Sequence, residues 1–326
     1  VSIQIKPYTL FSPDSAYRIE FDEIGVSTAD SSILVENVVL VPQKDHPRIQ
    51  QAPNTFELFI PRIRFSGINA NELYFERKLS LPKLSVESPR IQWEVKHTEA
   101  KSEAEAWNLQ QALLPYFDQV DIGAFNVKNG RLNQIRPEGD SIQPLQVSRF
   151  SAQASRFVLD SLELIRPGRL FYADELDIQI GEFSRAILDS LYTVRWKAAS
   201  YRSGDQFLLL DSLEMAPNFE IIDFVIDHGY RTPQMHIQTH QVEIDNFSLY
   251  EWLERDRIHL PRVYIGGLDF YVEEDKRFRR QPVRKPTPPE LLRSIDPYFR
   301  IDSMFITSGE LRYRDKLDTQ GKNGFF

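Results

Sequence analysis

The sequence predicts a mainly β protein with short helices, made of two tandem antiparallel sheet units that extend one into the next. Three observations lead there. Apolar and polar residues alternate with period two through most of the chain, turn signals punctuate the alternating runs, and the second half repeats the first in order.

The alternation comes first. YRIEF (17–21), PKLSVE (82–87), RIQWEVK (90–96) and LDIQI (176–180) each put apolar residues on one face and polar residues on the other. A sheet with one apolar and one wet face is expected to be antiparallel. The turn signals are Asn129-Gly130, Ser203-Gly204 and Ser308-Gly309. One run changes parity: Leu58 and Ile60 share a parity that Ile63 and Phe65 do not, which predicts a bulge at Pro61. Gly266-Gly267 reads as a tight turn between strands.

The repeat comes second. YRIEF (17–21) returns as YTVRW (192–196), LVENVVLVP (34–42) as LLDSLEMAP (209–217) and LFIPRIRF (58–65) as IQTHQVEI (237–244). LSLPKLSV (79–86) returns as IHLPRVYI (258–265), and NGRL (129–132) as SGEL (308–311). The matches keep their order and nearly constant spacing, which predicts a duplication with units at 1–140 and 170–326 and connecting strands at 141–169. A duplicated sheet unit suggests elongation, each unit continuing the sheet of the last. Helices are predicted at 69–78, 102–117, 218–229, 246–256 and 287–299. Ser102 and Glu105 form a capping box, and prolines precede the last helix.

Composition narrows the function. A net charge of −8 excludes a general nucleic-acid binder, which carries a dominant basic field. The absence of cysteine excludes disulfides and thiolate metal sites. No apolar run approaches the roughly 18 residues of a membrane span. The chain opens on Val1 in a strand-like run, which reads as a processed piece of a longer protein.

Catalytic signatures are missing: no G-x-S-x-G, H-E-x-x-H, Walker A or G-x-G-x-x-G occurs, so neither an enzyme nor a cofactor is expected. His236 and His240 would chelate a metal on a helix. In the strand-like run MHIQTHQVEI they lie roughly 13 Å apart, too far to share one ion, so no metal site is expected. Glu273, Glu274 and Asp275 end a strand and are expected to face water.

Two features remain. Lys276, Arg277, Arg279, Arg280, Arg284 and Lys285 concentrate positive charge in a proline-rich loop, which is either solvated or a contact for lipid phosphates or an acidic partner. The alternating strands carry large side chains, Phe21, Phe65, Trp93, Phe125, Phe157, Trp196, Phe270 and Phe305. These fill a sandwich core or line an open groove whose apolar wall covers acyl chains, and alternation alone does not separate the two.

The series FLLLDSLEMAPN (207–218), MHIQTHQVEIDNF (235–247), IHLPRVYIGGLDFYVEEDKRFRRQP (258–282) and PPELLRSIDPYFRIDSMFITSGELRYRD (288–315) resembles the AsmA-like group of bacterial envelope proteins, in particular its long Bacteroidetes members. The resemblance covers the second unit well and the first more loosely. It implies an elongated, U-shaped antiparallel β-groove related to bridge-like lipid transfer proteins. It also implies a periplasmic location, an inner-membrane tether outside this sequence, and a part in phospholipid movement or outer-membrane biogenesis. Phospholipid would then be the partner, with other envelope proteins unspecified. The alternative is an envelope scaffold or interaction module that binds no lipid.

Overall fold

The computed structural model describes residues 2–5, 8–12, 14–52, 54–95, 116–135, 146–160, 169–187, 190–228, 231–279, 298–316 and 323–325. The fold is mainly β with four short helices among these residues. The chain divides into two compact units, one of residues 1–140 and 144–180, the other of 141–143 and 181–326.

The first unit opens with β1 (Ser2–Ile5), β2 (Tyr8–Phe11), β3 (Tyr17–Phe21), β4 (Glu23–Ser27) and β5 (Ser32–Pro42). Helix α1 (Pro47–Gln51) leads to β6 (Asn54–Ser66), and α2 (Ala70–Phe75) leads to β7 (Lys78–Glu87). Then come β8 (Arg90–Val95), β9 (Gln119–Ile135), β10 (Gln146–Asp160) and β11 (Glu175–Ile180). Both helices are short enough to need caps. His46 Nδ1 accepts from the Arg48 amide with Pro47 in the first turn, and Asn69 accepts from the amides of Asn71 and Glu72.

The second unit holds β12 (Phe183–Ile187), β13 (Tyr192–Trp196), β14 (Ala198–Arg202), β15 (Phe207–Asp211) and β16 (Glu214–Pro217). Helix α3 (Ile221–His228) precedes β17 (Gln234–Gln238) and β18 (Gln241–Asp245). Helix α4 (Leu249–Arg255), capped by Ser248 and ended by left-handed Asp256, precedes β19 (Arg257–Gly266) and β20 (Leu268–Asp275). The unit closes with β21 (Tyr298–Ile306), β22 (Gly309–Lys316) and β23 (Asn323–Phe325). The helices predicted at 69–78, 218–229 and 246–256 are therefore present in shorter form. Tyr298 and Phe299 belong to β21, not to a helix end. Residues 102–115 and 287–297, the bodies of the other two predicted helices, lie outside the described residues.

The strands pair as kinked ladders. In the first unit, β5 faces β4 and then β3, β6 faces β7 and β8, and Asn37 and Pro61 stand opposite one another at the break. Glu36 opposes Arg62 and Val38 opposes Ile60, so the register is the same on both sides of the break and no residue is inserted. The parity change at Pro61 is thus a kink shared by neighbouring strands and not the one-sided bulge expected from the sequence. Left-handed residues mark it: Asn37 at φ +53, Ser88 at +51 and Asn129 at +53. Its amides stay bonded, Asp22 to the Glu36 carbonyl at 3.1 Å and Ser88 to the Lys128 carbonyl at 2.8 Å, so the break leaves these backbone groups satisfied.

The second unit is kinked in the same way. Lys197 donates to the Asp211 carbonyl, Ser212 to the His240 carbonyl, His240 to the Gly266 carbonyl and Leu268 to the Ser308 carbonyl, at 2.8–3.0 Å. Ser212 at φ +55 and Gly267 at φ +63 are its left-handed pivots. Gly266-Gly267 therefore joins two halves of one kinked strand and is not the tight turn that the pair suggests.

Among the described residues the ladders are antiparallel with one exception in each unit. β9 runs parallel to β7 and β8, with Lys78 opposite Gln119, and β21 and β22 run parallel to β19 and β20, with Arg257 opposite Tyr298. The purely antiparallel expectation is corrected here. Period two reports which face a residue takes but not the direction of its strand, and a parallel return requires the long connections after β8 and β20.

The core of the first unit is a cluster of Leu81, Val120, Ile122, Phe157 and Leu159, flanked by Leu79, Phe117 and Tyr172. It sits where β7 and β9 begin and β10 ends. Elsewhere the helices touch the sheets only locally, α2 on β7, α4 on β19 and α3 on β20.

The pivot can be tested by adding one methyl group. A Cβ on Gly267 would lie 2.4 Å from the His240 ring at positive φ, whereas one on Gly25 meets nothing within 4 Å. Thermal unfolding should show Gly267→Ala destabilised by about 1–3 kcal/mol. Gly25→Ala should be unchanged or up to about 1 kcal/mol more stable.

Candidate functional site

Side chains of directly paired residues share a face of the sheet. Following the pairing from strand to strand therefore assigns the paired strand residues to one face or the other. In one half of the first unit a row runs Val26, Ile33, Phe65, Leu84, Phe125, Ala154, Leu176. The adjacent row, on the opposite face, runs Gly25, Leu34, Arg64, Ser85, Asn126, Gln153, Asp177. Across the kink a second apolar row runs Leu10, Ile19, Leu40, Leu58, Ile91, Leu132.

The second unit repeats the segregation. Val194, Met215, Ile237, Phe270 and Leu311 form one row, and Arg195, Glu214, Gln238, Asp269 and Glu310 form the row behind it. Ala199, Leu210, Val242, Ile265 and Ile306 continue the apolar face beyond the kink. The polar rows carry the ion pairs: Arg195 grips Glu214 with two hydrogen bonds of 2.7 and 3.1 Å, and His236 bonds the same carboxylate at 3.0 Å. Arg195 first and His236 after it hold the Glu214 carboxyl below its ordinary range. His236 is thus occupied on the polar face while His240 stands at the kink. No group of three His, Cys, Asp or Glu among the described residues is placed to hold a metal ion.

The apolar rows are only partly buried. Val26, Ile33, Phe65, Leu84 and Phe125 all retain solvent exposure, as do Leu40, Leu58, Ile91 and Leu132 in the other half and Met215, Ile237 and Phe270 in the second unit. A sheet normally buries its apolar face under a second layer. Here the described helices cover only short stretches of it.

Of the eight aromatic residues singled out from the sequence, six lie on the face that carries these rows and Phe157 belongs to the buried core. Phe21 is buried beside Ile19, Trp93 stacks on Phe56 at 6.1 Å, and Trp196 stacks on Phe183 at 3.8 Å. Phe65, Phe125 and Phe270 are row members. Phe305 is the correction. It opposes Tyr264, which opposes Glu243, and it stacks on Tyr264 at 5.2 Å on the polar face. Its neighbours Met304 and Ile306 face the apolar side instead. The SGEL-to-NGRL match carries this signal, since it sets Met304 at the place of Phe125. The aliphatic residues of the rows, which make up most of the surface, were missed because size drew attention to the aromatics.

The acidic run corrects a second expectation. Glu273, Glu274 and Asp275 are buried at the end of β20, with Asp275 fully so. Arg231, 43 residues upstream, donates to Glu274 at 2.5 Å, and the Tyr313 hydroxyl donates to the same carboxylate at 2.9 Å. Lys316 pairs with Glu273 at 3.1 Å. The basic loop supplies the rest: Lys276 pairs with buried Asp315, and Arg277 forks onto Asp275 with bonds of 2.9 and 2.6 Å. Lys276 and Arg277 are therefore engaged within the fold. Arg279 is exposed and its carbonyl accepts from the Arg231 amide at 3.0 Å. Arg280, Arg284 and Lys285 lie outside the described residues.

The Arg277 bonds hold the Asp275 carboxyl below its ordinary range against the opposing effect of burial. Burial pushes the Asp315 carboxyl up, but bonds from Lys276 and Tyr313 outweigh it and leave the group low. Burial and the two carboxylates, Asp315 and Glu274, push the Tyr313 phenol far up.

No protein-family model matches this chain, and no curated protein sequence matches it significantly.

The ionic cluster yields two expected outcomes. Arg231→Met strands the Glu274 charge and should cost about 3–5 kcal/mol in chemical denaturation, with much of the loss recovered in the Arg231→Met/Glu274→Met double variant. The stability contributed by Asp275 and Asp315 is complete above their unfolded value of about 4 and is lost as pH falls through their depressed folded values. Circular dichroism during acid titration should show Asp275→Asn less stable near neutrality and less sensitive to acid than the parent.

Proposed function

We propose that this chain is a non-catalytic lipid-binding segment whose kinked sheets form a groove that holds acyl chains. The observation that carries the reading is the partly exposed apolar face, continuous from strand to strand within each unit and backed by a charged one. An uncovered apolar surface of this kind is an aggregation hazard unless something occupies it. An acyl chain fits that need, since each buried CH₂ contributes about 0.8 kcal/mol and a chain makes no demand for hydrogen bonds.

A tandem duplication supports the idea of an extended groove. Both units place their elements in the same order, kink each strand at the same point, and return by a parallel strand at the same separation, 78 to 119 in one and 257 to 298 in the other. In this reading the kink is the base of a U and the half-strands are its walls. The motif series at 207–315 supports assignment to the AsmA-like group, and with it a periplasmic, inner-membrane-tethered role in phospholipid transport or outer-membrane biogenesis.

Mass spectrometry of an organic extract of the purified protein should detect phospholipid. Leu58→Asp and Ile237→Asp, which put charge on the apolar rows, should lower bound lipid by about tenfold or more, equivalent to about 1.4 kcal/mol. Arg64→Asp on the opposite face should leave it unchanged. A monodisperse protein that carries no lipid and takes up no fluorescent phospholipid would instead make the chain an envelope scaffold.

A further inference from the structure

We infer that one rim of the first unit, where Tyr74, Phe75, Tyr116 and Phe171 stand exposed, docks on a zwitterionic phospholipid bilayer. The choice of partner rests on the lipid-binding reading above, but the rim is a surface separate from the apolar rows.

Three chain segments converge on this rim. Tyr74 and Phe75 end α2 just before β7, Tyr116 precedes β9, and Phe171 follows β10. β9 lies between β7 and β10, and the Asp118 amide donates to the Arg77 carbonyl at 2.9 Å, tying the end of α2 to the start of β9. The four rings are 81%, 77%, 57% and 61% exposed. Tyr74 and Phe75 meet edge to face at 5.1 Å, which presents them as a unit.

The backbone holds Phe171 outward at a cost. Phe171 and Tyr172 are consecutive left-handed residues, at φ +50 and +63. Bulky side chains are strained in that conformation. The strain turns the two rings apart: Tyr172 packs on Phe157 of the core at 5.9 Å, and Phe171 projects into solvent. A fold concerned only with stability would carry glycine at 171.

Charge selects the kind of bilayer. Arg77 pairs with Asp118 at 3.6 Å, and Arg156 and Arg169 both pair with Asp174, at 3.2 and 3.0 Å. With Lys78, Glu72 and Glu76 beside Tyr74 and Phe75, the four cations (Arg77, Lys78, Arg156, Arg169) are matched by four anions (Glu72, Glu76, Asp118, Asp174), so the patch complements a surface of balanced charge and not an anionic one. Tyr rings suit the boundary between head groups and acyl chains, and Phe rings insert on the apolar side of it. The second unit exposes apolar side chains at the corresponding places, Trp252 and Leu253 on α4 before β19 and Tyr298 at the start of β21.

The test is flotation of the whole chain with phosphatidylcholine vesicles, with and without phosphatidylglycerol, at low and high salt. Wild type should float on pure phosphatidylcholine, with little gain from the anionic lipid and little loss in salt. Tyr74→Ser/Phe75→Ser should reduce vesicle partitioning by about tenfold or more while leaving extractable lipid unchanged. Phe171→Gly should float less yet melt no lower than the parent, because glycine accepts the positive φ. Wild type that fails to float, floats only with phosphatidylglycerol, or forms a dimer that these substitutions dissolve would overturn the proposal. Loss of extractable lipid with flotation intact would count against the groove and leave the rim standing.

Discussion

Everything in these sheets depends on a register that survives a kink. Side chains in a strand alternate between faces, so a slip of one residue against a neighbour would exchange the apolar and charged rows. The partners keep step on both sides of the break, with Glu36 on Arg62 before it and Val38 on Ile60 after it. Neighbouring strands adjust at the same place, through Asn37, Pro61, Ser88 or Asn129, and the β5–β6 ladder carries no extra residue, while the β9–β10 ladder shifts its register around Phe150 and Gly130. The parity change inside one strand is matched by its neighbour, which lets a sharply bent sheet keep one apolar side.

The charged face and the end of β20 serve the same segregation. Along the polar rows, ion pairs such as Arg195–Glu214 are partly exposed and add little stability individually. They make burial of that face unfavourable and so orient the sheet. The Arg231–Glu274–Tyr313 group differs, because Arg231 and Glu274 are buried at a strand end of the second unit, with Tyr313 half-buried beside them, and the Glu274 carboxylate accepts from both. Removing one member leaves a charge without solvent or counter-ion. At the matching place in the first unit, the Thr55 hydroxyl donates to the Glu94 carboxylate at 3.0 Å.

Much of the fold was legible because alternation is a direct imprint of a half-covered sheet. The strands, three helices and the parity change between Ile60 and Ile63 could all be read from it. Strand direction could not, since Lys78 opposite Gln119 is a long-range choice that leaves no mark on period. The candidate face was legible through its aromatic members except Phe305, whose size outweighed its parity. The burial of Glu274 was hidden for a different reason. A run of three acids at a strand end suggests solvent, and its partner Arg231 stands alone in the sequence, brought to it only by the return of β17 alongside β20.

The parallel strand in each unit also fixes an order of events during synthesis. β7 and β8 are complete once residue 95 has been made, yet the strand that covers their free edge begins at Gln119 and ends at Ile135. Until then the growing chain presents an unpaired, apolar-faced edge of the kind that captures other strands. β10 must in turn wait for β9, so each unit closes from its N-terminal side toward its C-terminal side. An interruption after residue 95 would leave β7 and β8 without the strand that covers them, which makes the pace of translation through this stretch part of how the sheet avoids aggregation.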